Sequence, residues 1–295
     1  MNKKVCIVIA VVMGVVFGAA LLHAAKPDCD ALIKKSEKLW LERDFDGSDK
    51  VLEKAKQQCP DRAEIYWRKA RNDYDRMENL DRDQKPGKEE RIEYYRNMES
   101  LAEKCIELEP ENGDCRLWKG ISMGRRGTSQ GILQALSEAD QVEEAFLKAI
   151  ELKPTYCARD GSANSLGDAY NALGQFYRVL PEWLCTFGIR QLVGTCGDID
   201  KSVEYQRKAV AREPERIEYV KELGVSLVCR GQKRENPEDI KEGRKYLKKV
   251  LELPEIKHTD PIDKKHAQMI LSDPSLACGY SRDAQQEQSR DAYED

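Results

Sequence analysis

The chain has 295 residues, 35% of them charged and 40% hydrophobic, and a formal net charge of -4. Such a balance suits a soluble globular protein large enough for a sizeable core. With Lys and Arg (49) nearly equal to Asp and Glu (53), there is no basic stripe for a phosphate backbone, and nucleic acid is not an expected partner.

The N-terminus differs from the rest. Lys3 and Lys4 precede an apolar run at 5–22, followed by small residues at Ala20 and Ala24. This layout predicts a secretory signal peptide over 1–25. The alternative is an uncleaved N-terminal anchor through residues 5–22, since the run is almost long enough to span a bilayer. Cys29 follows Lys-Pro-Asp rather than a small-residue box, which argues against lipidation. The expected location is periplasmic or secreted in a bacterial cell envelope, or membrane-anchored if the leader is retained.

Beyond the leader, prolines punctuate the chain at Pro60, Pro110, Pro154, Pro214 and Pro254, 40–60 residues apart. Each closes a segment whose apolar residues recur every three or four positions, the signature of an amphipathic helix. Proline cannot continue a helix, so it ends each segment and opens a turn. A second helix type follows each turn, with aromatic and small residues on one face: Trp67, Ala70 and Tyr74; Tyr170, Leu173, Gly174 and Tyr177; Val220, Leu223, Gly224 and Leu227. The small residue lets a paired helix approach, and the aromatics fill the space beside it.

This pattern predicts an all-α, tetratricopeptide-like solenoid. Five helical hairpins are expected at 28–60, 61–110, 111–154, 155–214 and 215–254, within a repeat domain spanning 28–273. A helix at 260–273 is expected to cap the last open face, and 274–295 to form a disordered polar tail. The excess over a unit of about 34 residues falls in three insertions. Residues 79–90 read as a solvated loop and 124–131 as a Gly-rich turn. Residues 179–200 are apolar, with Trp183, Phe187 and two cysteines, and should fold against the solenoid or form a contact surface.

Nine cysteines follow the leader. Their number, with an export signal, points to an oxidising compartment and disulfides. Cys29 opens hairpin one and Cys59 closes it. Cys105 and Cys115 flank a turn, and Cys185 and Cys196 share the apolar insertion. These three pairs are the disulfide candidates, with Cys157–Cys229 a weaker fourth. No Cys-x2-Cys spacing exists for zinc or thioredoxin-like chemistry.

Little else suggests catalysis. Only His258 and His266 lie beyond the leader, and both read as surface residues, so His-dependent triads lack candidates. No phosphate-binding loop occurs. Asp198 and Asp200 precede a helix and read as capping residues rather than calcium ligands. The expectation is a protein that is not an enzyme and has neither cofactor nor metal. The first helix of each pair should line a concave face. Register places Arg68 and Asn72, then Asn171, Gln175 and Arg178, then Lys221, where a partner peptide or anionic ligand could make contact.

The ordered run YWRKARNDYD, AEKCIELEPENGDCRLWKGISMG, AFLKAIELKP and LGDAYNALGQFYRV, with a Trp-containing insertion, covers roughly 60–255. It resembles the tetratricopeptide family shared by regulators of microtubule dynamics and the bacterial TatT components of TRAP transporters. The resemblance implies a periplasmic helical-repeat protein binding a protein or peptide partner, a transporter component among the candidates. The alternative it implies is a ligand-binding accessory of a solute transporter.

Overall fold

Helix-initiating side chains recur along the chain. The computed structural model describes residues 28–80, 84–186 and 190–282, so the expected leader, Phe187 and the tail beyond 282 lie outside the described residues. Asp28 accepts from the Ala31 amide to start α1 (Cys29–Leu41), and Asp44 accepts from the Gly47 amide to start α2 (Phe45–Gln58). Asn112 caps α5 (Gly113–Gln130), Asn164 caps α8 (Ser165–Val179), Asp198 caps α10 (Ile199–Arg212) and Asn236 caps α12 (Pro237–Glu252). Each short side chain satisfies an amide that has no partner within its own helix. The remaining elements are α3 (Ala63–Asn79), α4 (Lys88–Leu108), α6 (Ile132–Ser137), α7 (Ala139–Leu152), a short α9 (Arg190–Val193), α11 (Ile217–Lys233) and α13 (Asp260–Ser272).

Five antiparallel pairs result: α1/α2, α3/α4, α5/α7, α8/α10 and α11/α12, with α13 packed on the last. Three joints share one turn. The amides of Arg62, Asn112 and Arg216 bond to the carbonyls of Cys59, Glu109 and Glu213, which places Pro60, Pro110 and Pro214 at the second turn position that their fixed φ suits. The α7–α8 joint differs: Lys153 adopts φ 53°, and the chain then crosses an extended loop to Asn164.

The core is a row of clusters under successive hairpins. One holds Leu52, Ile65, Trp67, Met98 and Cys115, the next Leu117, Phe146, Ala169 and Leu173, and the last Ile217, Val228, Leu247 and Ile270. Close approach of α11 and α12 depends on two facing glycines. A methyl group on Gly243 would sit 2.7 Å from the Gly224 carbonyl oxygen.

Several expectations change. Residues 124–130 are not a turn. Helix α5 runs through them, because packing of Gly127 against Ala135 in α6 rewards the helical path, and the break comes only at Gly131, φ 110°. Residues 274–282 do not belong to a loose tail. Pro274–Ala277 form a 3-10 turn, Tyr280 is fully buried, and Arg178 donates to the Tyr280 carbonyl. The apolar side chains in this short segment outweigh its polar surroundings. The 179–200 insertion packs Leu184 and Cys196 against Ala139 and Leu180, while Trp183 stays 58% exposed.

Four cysteine pairs stand at disulfide distance: Cys29–Cys59, Cys105–Cys115, Cys185–Cys196 and Cys229–Cys278. The suggested Cys157–Cys229 bridge is therefore not formed. Cys229 on α11 clips the C-terminal segment instead, and among the described residues Cys157 is the free thiol.

Candidate functional site

The first helices of the pairs, α1, α3, α5, α8 and α11, converge on a cavity of about 510 Å³, a size typical of ligand sites. Trp40 enters from α1, and Arg71, Tyr74, Asp75 and Glu78 from α3. Ile121 and Arg125 come from α5, Asn171 and Gln175 from α8, and Glu218, Lys221 and Glu222 from α11. Lys257 and Arg282 line it from the C-terminal side.

The i, i+4, i+7 spacing of Arg71, Asp75 and Glu78 gives α3 one polar stripe facing this lumen. The stripe is heavily wired. The Trp40 indole donates to Asp75 Oδ2 at 2.7 Å. Burial raises the Asp75 carboxyl above the usual carboxylate range, against the pull of Lys257 and Arg71. The Arg71 guanidinium lies 3.8 Å from the Trp40 ring centroid and 4.9 Å from that of Tyr156. It donates through Nη2 to Glu37 at 2.9 Å, and Tyr156 donates to the same carboxylate at 2.5 Å. Its Nε and Nη1 have no hydrogen-bond partner, although the side chain is only 2% exposed. An orphaned buried donor of this kind costs about 1–3 kcal/mol until something accepts from it.

At the opposite wall the charges interlock. Arg125 meets Glu78 at 3.3 Å, Lys257 meets Glu218 at 3.7 Å, Arg178 meets Glu222 at 2.6 Å and Lys221 meets Asp263 at 2.7 Å. Burial opposes ionisation of Glu218, but Lys257, Arg282, Arg216 and Lys221 outweigh it and hold the carboxyl down to about 2. Tyr280 ties the C-terminal segment to this wall, accepting from Lys221 Nζ at 2.9 Å and bonding His266 Nδ1 at 2.9 Å. His266 is thus 8% exposed and structural, not the surface residue expected from sequence. Burial lowers both His266 and His258 to about 4.

The six residues nominated from register divide into two groups. Asn171, Gln175 and Lys221 line the lumen. Arg68, Asn72 and Arg178 do not. Arg68 is engaged by Glu37 and Glu64, Asn72 donates to Ser48 and Asp49 of α2, and Arg178 is held by Glu222 and the Tyr280 carbonyl. Register identifies a helix face but not which of its polar groups the next element will occupy. Sequence reasoning missed Trp40, Arg71, Asp75, Glu78 and Arg282. The first four carried a usable signal in the seven-residue stripe of α3 and the lone tryptophan of α1. Arg282 carried none.

Among the described residues no group of three or more His, Cys, Asp or Glu side chains is placed to hold a metal ion, and no helix is long and apolar enough to cross a membrane. Asp198 caps α10 through Oδ1.

The superposition that decides the architecture is with the crystal structure of TTC0263, a thermophilic TPR protein in Thermus thermophilus. The TM-score is 0.54 at 12% identity, over 82% of this chain and 99% of that one. The fold is a tetratricopeptide-like α-solenoid. MamA protein (TM-score 0.40, 18% identity, 76% of this chain and 90% of that one) is also similar. So is YrrB, a TPR protein with an unusual peptide-binding site (0.39, 15%, 82% and 92%). The sequence profile of the family described as Regulator of microtubule dynamics protein 1-3 matches residues 32–158, the first three hairpins of this tetratricopeptide-like chain. No curated protein sequence matches the chain.

Proposed function

We propose that the protein is an exported, non-catalytic helical-repeat scaffold that holds a short segment of a protein or peptide partner in its lumen. The observation that carries this reading is the convergence of five first helices on one cavity of about 510 Å³. Its lining of aromatic walls and fixed polar groups is the chemistry of recognition sites. Export is supported by the four cysteine pairs at bonding distance, an arrangement that persists in oxidising compartments. The cations Lys257 and Arg282 in the cavity wall favour a second reading, a small-ligand accessory of a solute transporter.

Ala172, in the lumen wall, provides the test. A172W should abolish co-purification of the native partner from the cell envelope while thermal melting shifts by only a few degrees. A partner retained by a folded A172W protein would place recognition elsewhere, with exposed Trp183 the next candidate. Alkylation of the protein taken from its native compartment should label Cys157 and leave the four pairs unmodified. Labelling of all nine thiols would remove the case for export.

A further inference from the structure

Around the far wall of the lumen one cation is engaged less closely than the others. Four carboxylates around its far wall, Glu78, Glu218, Glu222 and Asp263, each have a cation of their own in Arg125, Lys257, Arg178 and Lys221. Arg282 is the fifth cation. It reaches Glu78 only at 3.6 Å and Asp263 only at 3.9 Å, and its Nε and Nη2 have no hydrogen-bond partner although the side chain is 10% exposed. Those two N–H groups form the edge of a guanidinium that a carboxylate engages with two parallel bonds. Seven residues before Glu78 on the same face of α3, two turns or about 10 Å along the axis, Arg71 offers a second pair of orphaned donors. Asn171 Oδ1 is a buried orphan acceptor in the same cavity.

We propose that the lumen is a carboxylate-binding site, in which Arg282 takes the carboxylate of an elongated ligand and Arg71 takes an acceptor about 10 Å away. This rests on the reading of the lumen as the recognition site and adds the ligand's chemistry. In extended peptide, about 10 Å is three residues at roughly 3.3 Å each. A peptide C-terminus and a free organic acid with an apolar body share this chemistry. Arg282 reaches the lumen because the segment before it is clipped to α11 by Cys229–Cys278 and seated by Tyr280. The site therefore exists only while that clip is closed.

The test uses the full oxidised chain and two acid/amide pairs: an N-acetylated apolar tripeptide with a free or an amidated C-terminus, and 3-phenylpropionate or its amide. Calorimetry gives affinity, and quenching of Trp40 and Trp118 reports entry to the lumen. At least one acid should bind ten-fold or more tighter than its amide. R282Q should erase that preference and R282K restore part of it, R71Q should weaken the tripeptide more than the single acid, and reduction of the clip should act as R282Q does. Binding of the tripeptide alone identifies a peptide terminus, and binding of phenylpropionate alone identifies an organic acid. Equal affinity for acid and amide, or an unchanged acid preference in R282Q, would overturn the ligand class while leaving the lumen reading intact. Absence of binding by all four probes overturns the carboxylate site, and binding undiminished in A172W removes the lumen itself.

Discussion

Replacing Gly243 and Gly124 by alanine, separately, should shift stability in opposite directions. Both lie inside helices, so both gain about 0.8–1 kcal/mol of helix propensity. The difference is what the added methyl group meets. At Gly243 it falls 2.7 Å from the Gly224 carbonyl oxygen, 2.8 Å from Val228 Cγ2 and 2.9 Å from the Val228 nitrogen. Two of those atoms are backbone and cannot rotate aside, so α11 and α12 must separate by several tenths of an ångström along their contact. Overpacking of this kind costs about 1–3 kcal/mol, and the backbone contacts put it near the top of that range, leaving a net loss of about 1–2 kcal/mol. At Gly124 the methyl group meets only Val142 Cγ1 at 3.9 Å, so the propensity gain survives as stabilisation of up to about 1 kcal/mol. Urea denaturation of the oxidised protein should show the G243A midpoint below that of the parent chain and the G124A midpoint above it, with unchanged slopes. Shifts of the same sign, or a G243A midpoint at or above the parent, would mean that the two helices are not held at the described separation.

Three further outcomes are expected. W40F deprives the buried Asp75 carboxyl of its indole donor and should cost about 1–3 kcal/mol. D75N, which keeps an acceptor where burial already favours the neutral form, should cost less when both are measured by thermal melting. His258 and His266 are held neutral down to about 4 against an ordinary value of 6.5. The unfolded chain therefore takes up protons first as pH falls, and their contribution to stability, complete above 6.5, should decline between 6.5 and about 4. H266N should flatten that decline in melting temperature against pH. Removing both cysteines of the Cys229–Cys278 pair, which span 49 residues, should destabilise by about 4 kcal/mol, against about 3 kcal/mol for Cys105–Cys115, which span 10. Equal losses in denaturant would point to strain or residual structure rather than loop entropy.

The hairpin frame was legible because each joint repeats a local rule. Proline stops one helix, an i to i+3 turn follows, and a small residue on the next helix admits its partner, as at Gly174 beside Gln206. Residues 124–130 misled because glycine propensity is a weak local preference, and contact with α6 overrides it. The lumen was legible only as a set of faces. Asn171 and Lys221 reach it, but Arg68 and Arg178, equally polar and equally in register, are consumed by Glu37 and by the Tyr280 carbonyl. No periodicity encodes such long-range partners. The segment at 274–282 escaped for a related reason: Tyr280 is one aromatic in polar surroundings, and its burial depends on Lys221 and His266, 59 and 14 residues away.

The contact of Arg282 with Glu78 has a topological consequence. An open solenoid can gain or lose a hairpin at little cost, because each unit touches only its neighbours. Here Arg282, beyond the last hairpin, lies 3.6 Å from Glu78 of the third helix, so the C-terminal segment touches a hairpin that is not its neighbour. Insertion of a sixth hairpin would pull the C-terminal segment out of reach of α3, and deletion of one would drive it into the opposite wall. Repeat number, the most freely varied property of such arrays, is in this protein bound to the existence of its cavity.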